Sequence, residues 1–129
     1  MKKLGLIVIM AITMVFVIQA ADDAKGQIQF EDTVYDFGNI REDGGPAVHE
    51  FSFTNTGDAP LVITSARAEC GCTKPTYPKK EILPGETEVI KVTYNPAGRP
   101  GGFTKSVTVR SNGTPAKVTL KIRGTVLPK

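Results

Sequence analysis

Lys117-Val118-Thr119-Leu120-Lys121-Ile122-Arg123-Gly124-Thr125-Val126 alternates apolar and polar side chains with a period of two. Successive side chains of an extended strand point to opposite faces. Val118, Leu120, Ile122 and Val126 therefore share one face, and Thr119, Lys121, Arg123 and Thr125 share the other. A helix would scatter both sets around its circumference, so the stretch predicts a strand buried on one side. Residues 103–110 repeat the pattern, with Phe103, Val107 and Val109 opposed to Thr104, Ser106, Thr108 and Arg110. Between the two lies Ser111-Asn112-Gly113-Thr114-Pro115, whose Asn-Gly pair readily takes the positive φ angles of tight hairpin turns. The spacing predicts a β-hairpin.

Moving toward the N-terminus, residues 86–94 alternate Ile90, Val92 and Tyr94 with Lys91 and Thr93 before stopping at Asn95-Pro96. Residues 61–68 place Leu61 and Ile63 on one face. Residues 48–55 set His49, Phe51 and Phe53 against Glu50, Ser52 and Thr54, and end in the turn signal Asn55-Thr56-Gly57-Asp58. Residues 27–38 read as one further extended region carrying Ile28, Phe30, Val34 and Phe37. Residues 74–84, with three prolines, read as the longest irregular segment, and residues 98–102 as a second flexible connection. No window shows helical periodicity. These runs predict an all-β, immunoglobulin-like two-sheet β-sandwich of about seven strands. Antibody hallmarks are missing, since there is no Trp and the two cysteines are too close in sequence to bridge sheets.

The chain opens with Met1-Lys2-Lys3, an apolar run over residues 4–18, and Gln19-Ala20-Ala21 before Asp22-Asp23. A basic head, an apolar stretch and small residues are the parts of a secretion signal. The run is shorter than the ~20 residues of a spanning helix. We expect a signal peptide over residues 1–20, cleaved after Ala20, and a single sandwich domain over residues 21–129. No cysteine stands where a lipoprotein signal needs one. The expected location is therefore bacterial and exported, periplasmic or extracellular, with no membrane span after cleavage. Loss of Lys2 and Lys3 lowers the formal charge from +3 to about +1. The basic residues Lys91, Lys105, Lys117, Lys121 and Arg123 read as dispersed among acidic neighbours, which argues against a nucleic-acid partner.

The motif with chemical potential is Cys70-Gly71-Cys72-Thr73. On an ideal strand, residues two apart have Cα atoms about 6.6 to 6.8 Å apart, at the upper edge of the disulfide range. A bond would require a local bend, which Gly71 permits. Closing a three-residue loop contributes only ~1.6 kcal/mol, so a bond here would suit exchange better than stapling. Two reduced, half-buried thiols, or an oxidised pair of no chemical consequence, are also compatible with the spacing. Two thiolates would also suit a soft ion such as Cu(I). However, Met1, Met10 and Met14 all lie in the signal and His49 is the only histidine, so a complete metal site is not expected, nor is any other cofactor. Cys70 and Cys72 are thus the candidate disulfide or redox pair, and Tyr77, Lys79 and Lys80 the candidate interaction loop.

Other motifs fail on context. Asp36-Phe37-Gly38 spells a kinase metal-binding triplet, but the chain has no glycine-rich or catalytic loop to accompany it. His49 shares a face with Phe51 and Phe53, which marks a core or sheet-edge residue rather than a base. It has no nucleophile motif to serve. A thioredoxin-type site needs Cys-x-x-Cys at a helix start, and the cysteines here are separated by one residue. No catalytic residues are expected, and the protein is read as a non-enzyme.

Taken in order, Tyr35-Asp36-Phe37-Gly38-Asn39-Ile40, residues 49–57, Cys70-Gly71-Cys72-Thr73, Leu83-Pro84-Gly85-Glu86 and Ser111-Asn112 resemble a bacterial family known as domain of unknown function 1573. The resemblance runs from about Ile28 to Val126, loosened by the insertion-like Glu42-Asp43-Gly44-Gly45-Pro46. It implies an exported immunoglobulin-like domain, similar to Hydin-type and major-sperm-protein-like sandwiches. It implies no activity, but makes Cys70 to Thr73 part of a shared pattern. The expected role is a protein-interaction or structural module of the cell envelope, its partner another envelope protein. The alternative is thiol redox or soft-metal handling at Cys70-Gly71-Cys72.

Overall fold

The computed structural model describes residues 25–129, so the expected signal peptide and cleavage point lie outside the described residues. Eight strands follow in order: β1 (Ile28–Phe30), β2 (Val34–Arg41), β3 (Ala47–Asn55), β4 (Ile63–Ala68), β5 (Thr73–Thr76), β6 (Thr87–Tyr94), β7 (Gly101–Ser111) and β8 (Lys117–Leu127). They form two four-stranded sheets, ordered β1-β3-β6-β5 and β2-β8-β7-β4. The result is an all-β, immunoglobulin-like sandwich. All strand pairs are antiparallel except β2 with β8, which is parallel.

The expected first strand is two strands. Ile28 and Phe30 point inward at even positions, whereas Tyr35 and Phe37 point inward at odd positions. That phase change falls at the corner over residues 31–33, where the chain leaves one sheet and joins the other. A second change falls at a β-bulge between Asp36 and Asn39. Gly38 has φ 70°, a left-handed conformation that suits glycine, and its N–H donates to Asp36 Oδ1 at 2.7 Å. The kinase-like triplet is thus a bulge, after which Ile40 faces the core.

The irregular segment over residues 74–84 is likewise corrected at its start, because Thr73–Thr76 forms β5 and pairs with β6. Pro75 obscured it. Proline cannot donate to a ladder and so is confined to edges, and β5 is an edge strand.

β7 and β8 form the expected hairpin, but by a different turn. Neither Asn112 nor Gly113 has positive φ. Asn112 instead pairs with Val62, accepting its N–H on Oδ1 at 2.8 Å and donating its own N–H to Val62 O at 3.1 Å. Gly113 is buried, and a Cβ there would lie 2.5 Å from Leu61 Cδ1. Close approach of segments, rather than backbone conformation, requires that glycine.

The core between the sheets is built from the predicted inward faces, including Phe51, Phe53, Ile90, Val92, Tyr94, Val107, Val109, Leu120, Ile122 and Val126. Tyr94 stacks on Phe103 with ring centroids 4.0 Å apart. Burial raises its phenol pKa above the usual value.

Asn55 is wholly buried at 0% exposure. Its Oδ1 accepts the N–H of Gln27 at 3.2 Å and of Gly57 at 3.0 Å, and its Nδ2 donates to Ala59 O at 2.8 Å and Ile82 O at 2.9 Å. One side chain thereby ties the entry to β1, the β3–β4 turn and the β5–β6 connection. Gly57 completes the junction, because a Cβ there would lie 2.6 Å from Gln27 N. Asn55→Asp, which keeps both acceptors but sets a carboxylate against two carbonyls, should lose on the order of 3 kcal/mol of unfolding free energy in urea titrations. An unchanged midpoint would contradict this role. Separately, the raised Tyr94 pKa means that its neutral form stabilises the fold below the unfolded value near pH ~10, and that this contribution disappears at higher pH. Tyr94→Phe should flatten the alkaline limb of the stability profile.

Candidate functional site

Residues 69–72 carry the chain from β4 in one sheet to β5 in the other. The N–H of Thr73 donates to Cys70 O at 3.3 Å, which closes a β-turn over Cys70 to Thr73. This turn brings the Cα atoms of Cys70 and Cys72 to 5.4 Å, closer than an ideal strand would, and their sulfurs are bonded. The bend expected at Gly71 is this turn. The corner is held from both sides: Glu69 N–H donates to Ser106 O at 3.2 Å and Asn95 N–H to Cys72 O at 2.9 Å.

The two half-cystines differ in environment. Cys72 is 6% exposed and belongs to the core, whereas Cys70 is half-buried and Gly71 is exposed. The Cys72 N–H donates to Cys70 Sγ at 3.3 Å. Thr73, 4% exposed, sets Oγ1 3.5 Å from Cys72 Sγ and 3.9 Å from Cys70 Sγ. Sequence reasoning placed Thr73 in the motif without giving it a role. Its buried hydroxyl is the polar group against both sulfurs.

Tyr77, Lys79 and Lys80 lie apart from this corner, on the segment that runs from β5 along the side of the sandwich. The Tyr77 hydroxyl donates to Thr64 O at 3.5 Å, at the edge of β4. Lys79 Nζ sits 3.4 Å from the Tyr77 ring centroid, within cation–π range. Lys80 pairs with Glu88 at 2.9 Å, which raises the lysine pKa.

His49 faces inward on β3 and stacks on Tyr35, with ring centroids 3.7 Å apart and planes at 8°. It meets Phe51 edge-on at 4.6 Å. Its Nε2 is 3.9 Å from Asp32 Oδ1. These contacts match the packing role expected for it. No cluster of three or more His, Cys, Asp or Glu suited to a metal ion occurs among the described residues. A bonded cysteine pair also offers no thiolate to a soft ion.

The basic residues are less dispersed than the sequence suggests. Strand register places Arg67 and Thr108 beside Thr119, Arg110 opposite Lys117, Ser106 opposite Lys121 and Thr104 opposite Arg123, all on the outer face of the β2-β8-β7-β4 sheet. Arg67, Arg110, Lys117, Lys121 and Arg123 are exposed. Arg123 pairs with Asp36 at 3.4 Å, and no ion pair among the described residues engages the other four. The alternation of residues 117–126 contains the β8 portion of this face. Its continuation onto Arg67 and Arg110 depends on pairing between distant strands.

A family model for a protein of unknown function, DUF1573, matches residues 28–126. The chain belongs to this family. No curated protein matches it. Among solved structures, the DUF1573 chain is similar to a Porphyromonas gingivalis protein of unknown function, with TM-score 0.71 and 18% identity over 86% of this chain and 51% of that one. It thus spans about half the length of that relative. It is also similar to PapD-like domain 7 of human CEP192, with TM-score 0.61 and 11% identity over 81% of this chain and 88% of that domain. The E. coli chaperone DraB gives 0.54 and 11% over 80% of this chain and 56% of that one. At these identities the likenesses show a shared sandwich fold.

Because the corner is held by its own backbone hydrogen bonds and the disulfide ring is small, the paired substitution Cys70→Ala/Cys72→Ala should lower unfolding free energy by no more than about 2 kcal/mol. Chemical denaturation would measure this. A loss of cooperative unfolding would show that the bond is a structural staple.

Proposed function

We propose that this DUF1573 domain is an exported, non-enzymatic interaction module of the bacterial cell envelope, and that it docks the outer face of the β2-β8-β7-β4 sheet on an acidic surface of a protein partner. The observation that carries the reading is the gathering of Arg67, Arg110, Lys117 and Lys121 on that face among Ser106, Thr108 and Thr119, with the carboxylate of Glu69, which accepts the Ser106 N–H, at its β4 end. Exposed cations without ion-pair partners on a flat sheet complement a carboxylate-rich surface and accelerate encounter with it. The short hydroxyl side chains between them add donors and acceptors without blocking close approach. Export is supported by the three-part N-terminal pattern over residues 1–20. Protein rather than nucleic acid is the favoured partner because exported proteins do not ordinarily meet nucleic acid. Structural neighbours that include chaperones are in keeping with a binding role. Soft-metal handling has less support, since the two sulfurs it would use are bonded to each other.

Affinity capture from bacterial envelope extracts tests the reading. The triple reversal Arg110→Glu/Lys117→Glu/Lys121→Glu should lose the proteins recovered by the parent domain. Reversal of Lys74 and Lys91, which lie on the other sheet, should retain them. Capture should also weaken as salt rises, as expected for exposed charges. Identical recovery by the triple variant, or a bound species that survives protease treatment of the extract, would overturn the assignment.

A further inference from the structure

Beyond a docking role, we propose that Cys70–Cys72 is a thiol-exchange site that takes two electrons from an external dithiol, with Cys70 Sγ as the atom attacked. The two sulfurs are unequal in access. Cys72 is packed into the core at 6% exposure, while Cys70 is half-buried beside the exposed Gly71. No other part of the chain crowds the turn at Gly71, where an ideal Cβ would meet no atom within 4 Å. The exposure of Gly71 and partial exposure of Cys70, against the burial of Cys72, make Cys70 the sulfur nearer solvent.

Donors are in place for the thiolates that exchange generates. The Thr73 hydroxyl lies 3.5 Å from Cys72 Sγ, and the Cys72 N–H lies 3.3 Å from Cys70 Sγ. Hydrogen bonds of this kind favour the charged form of a sulfur over the thiol. The framework is independent of the bond, because Thr73 to Cys70, Asn95 to Cys72 and Glu69 to Ser106 are joined through the backbone. Both redox states can therefore share one fold.

In the step itself, one thiolate of the dithiol attacks Cys70 Sγ. The Cys70–Cys72 bond breaks, and its electron pair leaves on Cys72 Sγ beside Thr73. The mixed disulfide on Cys70 is then attacked by the second thiolate of the same dithiol, which releases Cys70 as a thiolate. The dithiol becomes a disulfide, and its two protons end on the two cysteines or in solvent. Reoxidation by a disulfide partner follows the same path in reverse, with Cys70 as nucleophile.

Dithiothreitol serves as the dithiol probe. Oxidised protein is incubated with it without denaturant, quenched with an alkylating agent and weighed, with circular dichroism recorded in parallel. We expect both cysteines to be alkylated while the β-sheet spectrum is unchanged. In a second measurement, an aromatic disulfide reagent should react at least about tenfold faster with Cys72→Ala, which leaves Cys70 free, than with Cys70→Ala, as accessibility dictates. A bond that reduces only when denaturant is added, or a Cys72 thiol that reacts as fast as Cys70, would overturn the proposal. The parent protein carries the first measurement, so poor folding of a variant does not remove the test.

Discussion

Asn55, itself fully buried, satisfies two backbone N–H groups and two carbonyls from three separate segments. Unpaired, these groups would each carry a desolvation penalty that hydrophobic contacts do not offset. The junction therefore permits the chain to enter β1, turn from β3 to β4 and return into β6 at one end of the sandwich. Gly57 supports it by letting backbones meet where a side chain would not fit. Asn112 acts comparably at the hairpin, with its side chain standing in for a strand partner of Val62. Polar side chains thus fix how the connections meet, while apolar ones fix how the sheets stack.

That division accounts for what could be read in the sequence. Alternation in residues 117–126 and 86–94 reports one-sided burial, which is a local property, and β8 and β6 fall where it predicts. The passage from β1 to β2 was also recorded locally, as the shift of inward positions between Phe30 and Tyr35, but that signal reads as continuity unless phase is followed. β5 was hidden because Pro75 resembles loop composition, although an edge strand tolerates it. Asn55 looked like an ordinary turn residue. Its four partners span residues 27 to 82, and no local pattern encodes that convergence.

The cysteine corner was legible in its spacing and its capacity to bend. The contrast between Cys70 and Cys72 was not, because it depends on which residue of the turn faces the core when the chain changes sheets. The basic face shows the same limit. Lys117, Lys121 and Arg123 share a face by parity alone, but Arg67 and Arg110 join them only through the register of β4 on β7 and β7 on β8.

The parallel pairing of β2 with β8 bears on how the domain responds to force. Antiparallel partners pulled from adjacent ends unzip one hydrogen bond at a time. In a parallel pair, tension applied ahead of β2 and beyond β8 acts along both strands in opposite directions, so the bonds between Val34–Arg41 and their β8 partners share the load. The Asp36–Asn39 bulge interrupts that ladder and divides it into two shorter patches. Pulled in those two directions, the pair would resist extension by shear rather than by unzipping.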